Sequence, residues 1–126
     1  MTIHGIGCDL VNCLRIEQIF LKYPASFIKR ILGQIEIRKF STLNDQKTKV
    51  SFLAKRFAAK EAVAKAFGTG IGQTLEFKDI QIDNDYNGKP KVILPKNLLE
   101  LTINYQIHIS ISDEWPIAIA FVIISV

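Results

Sequence analysis

The sequence predicts an α+β fold in which one long central helix packs on a small antiparallel sheet. The run from about Lys47 to Phe67 has the apolar spacing and the length of a core helix. Period-two alternation predicts strands over Ile3–Leu10 and Gln106–Ser112, and an almost wholly apolar strand follows over Ile117–Ile124. The dipeptide Asn87-Gly88 is typical of a hairpin turn. We expect these elements to form a single domain that covers residues 1–126.

Composition narrows the class of protein. The chain has 126 residues, 48% of them hydrophobic, which is enough apolar material for the core of one globular domain. No apolar run approaches the ~20 residues that a membrane span needs, and the N-terminus lacks a signal-peptide pattern, so we expect a cytoplasmic protein. Cys8 and Cys13 have no further ligands at suitable spacing, which argues against a disulfide framework or a zinc site.

The charge balance favours an anionic partner. Sixteen lysines and arginines against twelve aspartates and glutamates give a net charge of +4. A nucleic acid, an acidic protein or a phosphorylated cofactor would each fit that charge. A basic nucleic-acid-binding module should interleave aromatic and basic residues on a strand face, and the predicted strands lack this pattern.

The first predicted strand has two glycines on one face. Alternation places Gly5, Gly7 and Asp9 on the same face as Ile3, so another segment can approach closely there, with Asp9 at the edge of the opening. Three short helices and a loop should follow: one from Arg15 that is stopped by Pro24, one around Phe27–Leu32 that is stopped by Gly33, one over Gln34–Phe40, and the loop Ser41–Asp45.

The central helix carries one carboxylate, Glu61, among four basic residues: Lys55, Arg56, Lys60 and Lys65. Glu61 falls on an apolar stripe with Val50, Ala54, Phe57 and Ala64. A half-buried carboxylate needs a cation, which could be Lys65 in an ordinary i,i+4 salt bridge or a metal ion. A second stripe lies opposite, at Phe52, Ala59, Val63 and Ala66. The helix is therefore either central to the core or shared with another subunit.

A glycine-rich exit, Gly68-Thr69-Gly70-Ile71-Gly72, ends the central helix. Glycines at these positions allow positive φ and close approach of another backbone. The segment differs from a dinucleotide-binding fingerprint because it follows a helix instead of opening one. Any phosphate nearby must therefore be held by lysines or by a metal.

The C-terminal half predicts a second set of strands. Phe77–Asp83 should form a strand that turns at Asn87-Gly88 into a strand at Lys91–Leu94, and Pro95 should open a short helix over Lys96–Leu101. In Gln106–Ser112 the isoleucines 107, 109 and 111 should point inward, and His108 should be a hydrogen-bonded strand residue. After a turn at Asp113–Pro116, Ile117–Ile124 should be buried on both faces.

Two motifs together carry a resemblance to a known family. GIGCDLVNCLRIE (Gly5–Glu17) and FLAKRFAAKEAVAKAFGTGIG (Phe52–Gly72) resemble the holo-[acyl-carrier-protein] synthase family of bacterial 4'-phosphopantetheinyl transferases. The resemblance extends through Asn87-Gly88-Lys89-Pro90 and the closing strand pair, so it covers essentially the whole chain. It implies a transferase of fatty acid synthesis that is a homotrimer with active sites between neighbouring subunits.

The resemblance also implies a reaction and its residues. A Mg²⁺-dependent enzyme would transfer 4'-phosphopantetheine from coenzyme A to a serine of acyl carrier protein and release adenosine 3',5'-bisphosphate. Asp9 and Glu61 would bind the metal, and Lys65 would stabilise the leaving phosphate. Coenzyme A binding would involve Lys65 and the exit residues Gly68, Thr69 and Gly70. A carboxylate or a water on the metal could deprotonate the serine, and these two alternatives stay open.

The resemblance also bears on partner binding, and the sequence departs from the family at one position. Carrier proteins of this pathway are strongly acidic, and the resemblance assigns their docking to Arg15, with Lys22 on the same helix. Many relatives have a histidine where this chain has Asp113, so a contact made through that histidine is not carried over. A carrier-binding protein without catalysis, the remaining alternative, would not need both Asp9 and Glu61.

Overall fold

The computed structural model describes residues 1–72 and 75–126. The helices and strands follow in this order: β1 (Ile3–Asn12), α1 (Cys13–Lys22), α2 (Pro24–Ile31), α3 (Gln34–Phe40), α4 (Gln46–Phe67), a 3₁₀ turn (Phe77–Asp79), β2 (Gln81–Asn84), β3 (Pro90–Ile93), α5 (Lys96–Leu101), β4 (Gln106–Glu114) and β5 (Ile117–Ser125). This order confirms the predicted α+β fold, in which α4 packs on a small antiparallel sheet.

The main sheet has three antiparallel strands in the order β1-β5-β4, while β2 and β3 form a separate hairpin. The first and last strands of the chain pair directly, with Cys8 opposite Phe121 and Asp9 opposite Ala120. Gly88 has a φ of 85° in the turn between β2 and β3, a conformation that favours glycine. His108 lies on β4 within 3.2 Å of the Ser125 hydroxyl, which confirms it as a hydrogen-bonded strand residue.

The glycine face of β1 lies directly on the central helix. A Cβ atom at Gly7 would come 1.8 Å from the carbonyl oxygen of Ala62, and one at Gly5 would come equally close to that of Ala66. Only glycine permits this separation of strand and helix backbones. The close approach predicted from the sequence is therefore made by α4, and it places Asp9 beside that helix.

The helix α4 is buried on nearly all sides by its own chain. The main sheet covers one side with its fully buried residues Ala118, Ala120, Val122 and Ile124. The helices α1 and α2, the 3₁₀ turn and β2 contact α4 as well. Of the two explanations for its opposed apolar stripes, a central core position is the one that the structure confirms.

A buried charge cluster joins α4 to its helical cover. Lys60 and Glu36 are almost fully buried, and the Lys60 ammonium lies 2.5 Å from Glu36 Oε1. The Arg56 Nε lies 3.3 Å from the other carboxylate oxygen, without hydrogen-bond geometry. Burial lowers the pKa of Lys60 to about 8, while Glu36 opposes that shift. Two of the basic residues around Glu61 are thus neutralised from α3.

Some predicted elements are corrected by the structure. Phe77–Asp79 is a 3₁₀ turn and the strand begins only at Gln81. The strand β4 continues to Glu114, so the turn is tighter than Asp113–Pro116. The prediction that β5 is buried on both faces is wrong for the single chain, because Ile119 and Phe121 are 37% and 42% exposed on its outer face. An apolar strand in a sheet with one covered face exposes alternate side chains.

Candidate active site

Asp9 and Lys65 meet where β1 crosses the C-terminal half of α4. The Lys65 ammonium donates to Asp9 Oδ1 and to the carbonyl oxygen of Cys8, both at 3.0 Å. The Asp9 side chain is only 17% exposed, whereas that of Lys65 is 51% exposed. The hydrogen bond to Asp9 raises the pKa of Lys65. The aspartate is thus held by the fold, while the lysine has room to move toward a ligand.

Glu61 lies one helical turn before Lys65 and is half-buried. Burial raises the pKa of Glu61, the negative charge of Asp9 raises it further, and Lys65 partly opposes both effects. Within the described residues, ion pairs join Lys65 to Asp9 and not to Glu61. The i,i+4 salt bridge that the sequence allowed is therefore wrong, since the lysine reaches across to β1.

The charges at this site fit a divalent cation. The carboxylates of Asp9 and Glu61 repel each other when both are ionised, and this repulsion contributes to the raised pKa of Glu61. One cation, the Lys65 ammonium, already lies against Asp9. Carboxylate oxygens are the ligands that Mg²⁺ prefers, and it commonly takes one or two of them together with water and phosphate oxygens. No group of three or more His, Cys, Asp or Glu side chains suited to a metal occurs among residues 1–72 and 75–126. Asp9 and Glu61 therefore match the donor set of Mg²⁺ better than that of a metal needing an all-protein shell.

A groove of about 390 Å³ opens beside Glu61. Its lining combines arginines, aromatic rings and aliphatic side chains with one carboxylate: Arg15, Ile19, Tyr23, Ser26, Phe27, Arg30, Ile31, Phe57, Glu61 and Phe77. We call it the α1–α2 groove. The structure thus brings the predicted partner-binding residue Arg15 and the predicted site residue Glu61 into one groove. Lys22 lies outside this lining, with its ammonium 5.4 Å from the ring centre of Tyr23.

A second, more basic groove of about 480 Å³ adjoins the first. The two share Ser26, Arg30 and Phe77, and the second adds Lys29 and Lys78. Glu76 also lines the second groove and lies 3.5 Å from the Lys78 ammonium, so the excess positive charge of the two grooves comes mainly from Arg15, Lys29 and Arg30. A basic concave surface suits an acidic ligand better than an apolar one.

The glycine exit has the predicted backbone conformation. Gly68 ends α4 with a φ of 81°, and Gly70 has a φ of 67°. The Thr69 and Gly70 amides both point back to the carbonyl oxygen of Ala64 at 3.3 Å. Thr69 lines a small apolar pocket with His4 and Tyr105 and is not part of the α1–α2 groove. Of the residues predicted to bind coenzyme A, Lys65 thus contacts Asp9, whereas Thr69 lines a different pocket.

Asp113, the position at which the sequence departs from the expected histidine, has a carboxylate with two partners in the structure. It accepts a hydrogen bond from the Ser51 hydroxyl at 3.0 Å and lies 3.8 Å from the Lys55 ammonium. A histidine could not replace this acceptor without losing its negative charge. The position therefore ties β4 to the first half of α4 in this chain.

Sequence reasoning missed three groups near the site. Phe77 lines both grooves and stacks on Phe57 at 5.0 Å between ring centres. Tyr23 lines the α1–α2 groove, and Glu36 is the carboxylate that neutralises Lys60. The one available signal was Glu36 three residues after Gly33, a spacing typical of a helix cap. It indicates the cap but not the buried partner.

Comparisons with known proteins agree with this architecture. Residues 5–120 match the 4'-phosphopantetheinyl transferase superfamily. The chain is 49% identical to a holo-[acyl-carrier-protein] synthase of Orientia tsutsugamushi (strain Ikeda), over 98% of this chain and 97% of the relative. It is similar to the crystal structure of the holo-[acyl-carrier-protein] synthase of Neisseria meningitidis, with a TM-score of 0.91, 38% identity, and coverage of 99% and 100% of the two chains. The Helicobacter pylori synthase in complex with coenzyme A matches with a TM-score of 0.82 and 36% identity, over 95% of this chain and 99% of that one.

Proposed function

The chain belongs to the 4'-phosphopantetheinyl transferase superfamily, and we propose that it transfers 4'-phosphopantetheine from coenzyme A to a serine of acyl carrier protein. The observation that carries this function is the position of Asp9 beside α4, with Lys65 at 3.0 Å and with Glu61 close enough for its pKa to respond to Asp9. Mass spectrometry of apo-carrier incubated with the protein and coenzyme A tests the transfer. A second candidate function has no comparable observation in its favour.

The transfer breaks one phosphorus–oxygen bond and forms another. The serine oxygen of the carrier attacks the pantetheine-side phosphorus of coenzyme A, and the bond from that phosphorus to the bridging oxygen breaks. Adenosine 3',5'-bisphosphate leaves with the electron pair. Lys65 is half exposed, so it can leave Asp9 and donate to the leaving phosphate. The serine proton passes to a carboxylate of the site or to a water molecule, and these two alternatives stay open.

We infer that Mg²⁺ is held by Asp9 and Glu61. When bound, the ion would supply charge neutralisation for the diphosphate, which is worth several kcal/mol in reactions of this kind. The protein's own contribution is to hold the two carboxylates together. The glycine contact between β1 and α4 does this, because it fixes the strand that carries Asp9 against the helix that carries Glu61. Gly68, Thr69 and Gly70 remain proposed contacts of coenzyme A, as does Lys65.

The α1–α2 groove is the proposed docking surface for the carrier. Arg15 and Arg30 lie on its lining and Lys22 stands next to its Tyr23, so the surface around Glu61 is basic where an acidic partner must approach. Phe57 and Phe77 provide the apolar part of the same lining. A carrier that docks here would present its serine at the Glu61 end of the groove.

Arg15→Glu should raise the KM for carrier protein by about tenfold or more, while the KM for coenzyme A changes little. Reversal of an exposed charge on a docking surface mainly slows association, and salt screens the effect over about 8 to 10 Å. The defect should therefore be largest at low ionic strength. Steady-state kinetics at two salt concentrations measure both KM values. Lys96→Glu is the matched control, because it reverses the same charge on α5, away from the groove lining. An unchanged carrier KM in Arg15→Glu at low salt would remove Arg15 from the docking surface.

We propose that the chain assembles as a homotrimer through the outer face of β1 and β5. The exposed apolar residues there pair across the two strands, with Leu10 opposite Ile119 and Cys8 opposite Phe121. Ile6 and Leu10 are 59% and 62% exposed in the single chain. Contiguous apolar surface of this kind is typical of an interface. Asp9 lies on the opposite face of β1, against α4, so a neighbouring subunit on the outer face would reach the site around β1, which is an edge strand of the main sheet.

Sedimentation should report a trimer for the wild-type protein, and Phe121→Asp should shift it toward monomer and reduce transfer. The substitution puts a charge into the apolar face, which costs several kcal/mol if that face is buried. Ile103→Asp is the control, because Ile103 is 81% exposed in the loop before β4 and should leave the mass unchanged. A wild-type monomer with full activity would exclude a site that depends on the neighbouring subunit.

A further inference from the structure

One buried lysine holds the two walls of the α1–α2 groove together. The Lys60 ammonium donates to the carbonyl oxygens of Ile31 and Phe77, the latter at 2.9 Å. Both of these residues line the groove, and they belong to different segments, α2 and the 3₁₀ turn. Lys60 itself immediately precedes Glu61 on α4, the helix that forms the facing part of the lining.

Glu36 completes the link from the other side. Its carboxylate accepts from the Lys60 ammonium at 2.5 Å, from the Gly33 amide at 3.0 Å and from the Ile82 amide at 3.1 Å. The pair thus satisfies backbone groups of α2, the start of α3, the 3₁₀ turn and β2. Each of these groups would be costly if it were buried without a partner.

Fold stability alone does not explain why a buried ion pair, Lys60 with Glu36, occupies this position. A buried ion pair adds little net stability over apolar side chains of the same size, because desolvation offsets the attraction between the charges. Such a pair does impose one geometry, since each hydrogen bond has a narrow range of distance and direction. The geometry imposed here is the separation between Glu61 and the segments of Ile31 and Phe77.

We propose that Lys60, held by Glu36, is a positioning residue that sets the width of the α1–α2 groove and thereby its fit to the carrier protein. This inference rests on the proposed docking of the carrier in that groove. Lys60 acts through the backbone of Ile31 and Phe77 and does not touch the reacting atoms. Loss of the link should let α2 and the 3₁₀ turn move relative to α4, while β1 and its contact with α4 stay in place.

The test compares a double variant with two controls. Lys60→Met alone leaves Glu36 buried and charged without its main partner, so it is expected to lower the melting temperature. The double variant Lys60→Met with Glu36→Gln removes both charges of the pair and retains an acceptor for the Gly33 or Ile82 amide. It also leaves the buried Arg56 without its carboxylate, so its melting temperature should fall below that of the wild type as well. Lys39→Met is the first control, because Lys39 also links α3 to β2, through Asn84 at 2.8 Å, but lies outside the groove. Leu53→Ala is the second, because it lowers stability from a fully buried site on α4.

Binding of fluorescently labelled apo-carrier, measured without coenzyme A or metal, is the decisive readout. The folded double variant should bind the carrier about tenfold more weakly or worse, because a groove of altered width no longer matches the shape of the carrier surface. Its KM for coenzyme A and its Mg²⁺ dependence should match the wild type. Both controls should bind the carrier normally, although Leu53→Ala should melt at a lower temperature.

Two results would overturn the proposal. Normal carrier binding by the folded double variant would show that the pair only stabilises the fold. Failure of both Lys60 variants to fold at any temperature would make the pair a folding determinant and reject the positioning role. Failure of the proposed function is distinguishable from both, because it would appear in the wild-type protein as an absence of carrier binding and transfer.

Discussion

Glu61→Gln should reduce the rate of phosphopantetheine transfer by about 100-fold or more while the protein remains folded. The substitution removes a proposed metal ligand, and the charge stabilisation supplied by such an ion is worth several kcal/mol, each 1.4 kcal/mol being about tenfold in rate. Turnover with saturating carrier and coenzyme A measures the loss. Glu100→Gln is the matched control, because Glu100 is an exposed glutamate on α5 with no assigned role.

For the same variant, Glu61→Gln, we expect a pH-dependent change in the melting temperature. Burial and Asp9 raise the folded-state pKa of Glu61 above its ordinary value of 4.5, so the ionised form destabilises the fold. This loss of folding free energy is absent below the unfolded-state pKa of Glu61, where the carboxyl is protonated in both states. It develops as the pH rises through the unfolded-state pKa toward the higher folded-state pKa. Glu61→Gln should therefore melt at or above the wild-type temperature at pH 7 and at the same temperature below pH ~4.

With Mg²⁺ at neutral pH, the wild type should melt at a higher temperature than Glu61→Gln. The ion should raise the melting temperature of the wild type, because it binds the folded state, and should leave Glu61→Gln nearly unchanged. An active Glu61→Gln variant, or one that gains as much stability from Mg²⁺ as the wild type, would contradict the role of Glu61 as a ligand.

Gly7→Ala should destabilise the fold by at least about 3 kcal/mol and abolish transfer. The new methyl group would lie 1.8 Å from the carbonyl oxygen of Ala62, and neither the strand nor the helix backbone can yield without moving the other. Displacement of β1 would also move Asp9, two residues on, away from Glu61. Chemical denaturation and the transfer assay measure the two effects.

Lys91→Ala provides the control for Gly7→Ala. Lys91 is an exposed residue of β3, in the separate hairpin and away from the contact between β1 and α4. The free energy of unfolding of Lys91→Ala should therefore stay within about 0.5 kcal/mol of the wild-type value. A Gly7→Ala variant as stable as Lys91→Ala would show that β1 and α4 are not in the close contact described.

The sequence predicted the fold class and most helices because their signals are local. Apolar periodicity located α4 to within one residue, and the glycine face of β1 predicted a close approach. The partner of Lys65 was beyond local rules, since the i,i+4 spacing favours Glu61 whereas the observed partner Asp9 is 56 residues away in the chain.

Two further features could not be predicted for a related reason. The sequence analysis identified Lys60 only as one of four basic residues around Glu61, because the carboxylate that permits its burial comes from another helix, 24 residues earlier. The outer face of β5 looked buried, because its apolar residues give the same pattern whether they are covered by their own chain or by another. The sequence pattern identifies apolar faces and charged residues, but the fold determines which residues pack against them.

The proposed transfer can be measured as the mass of apo-acyl carrier protein after incubation with the wild-type protein, coenzyme A and Mg²⁺. We expect a gain equal to one phosphopantetheine group, release of an equal amount of adenosine 3',5'-bisphosphate, and loss of both when EDTA replaces Mg²⁺. A carrier in which the acceptor serine is replaced by alanine should keep its mass. An unchanged mass of the normal carrier with folded wild-type protein would contradict the proposed transfer, and a full gain in EDTA would contradict the metal site at Asp9 and Glu61.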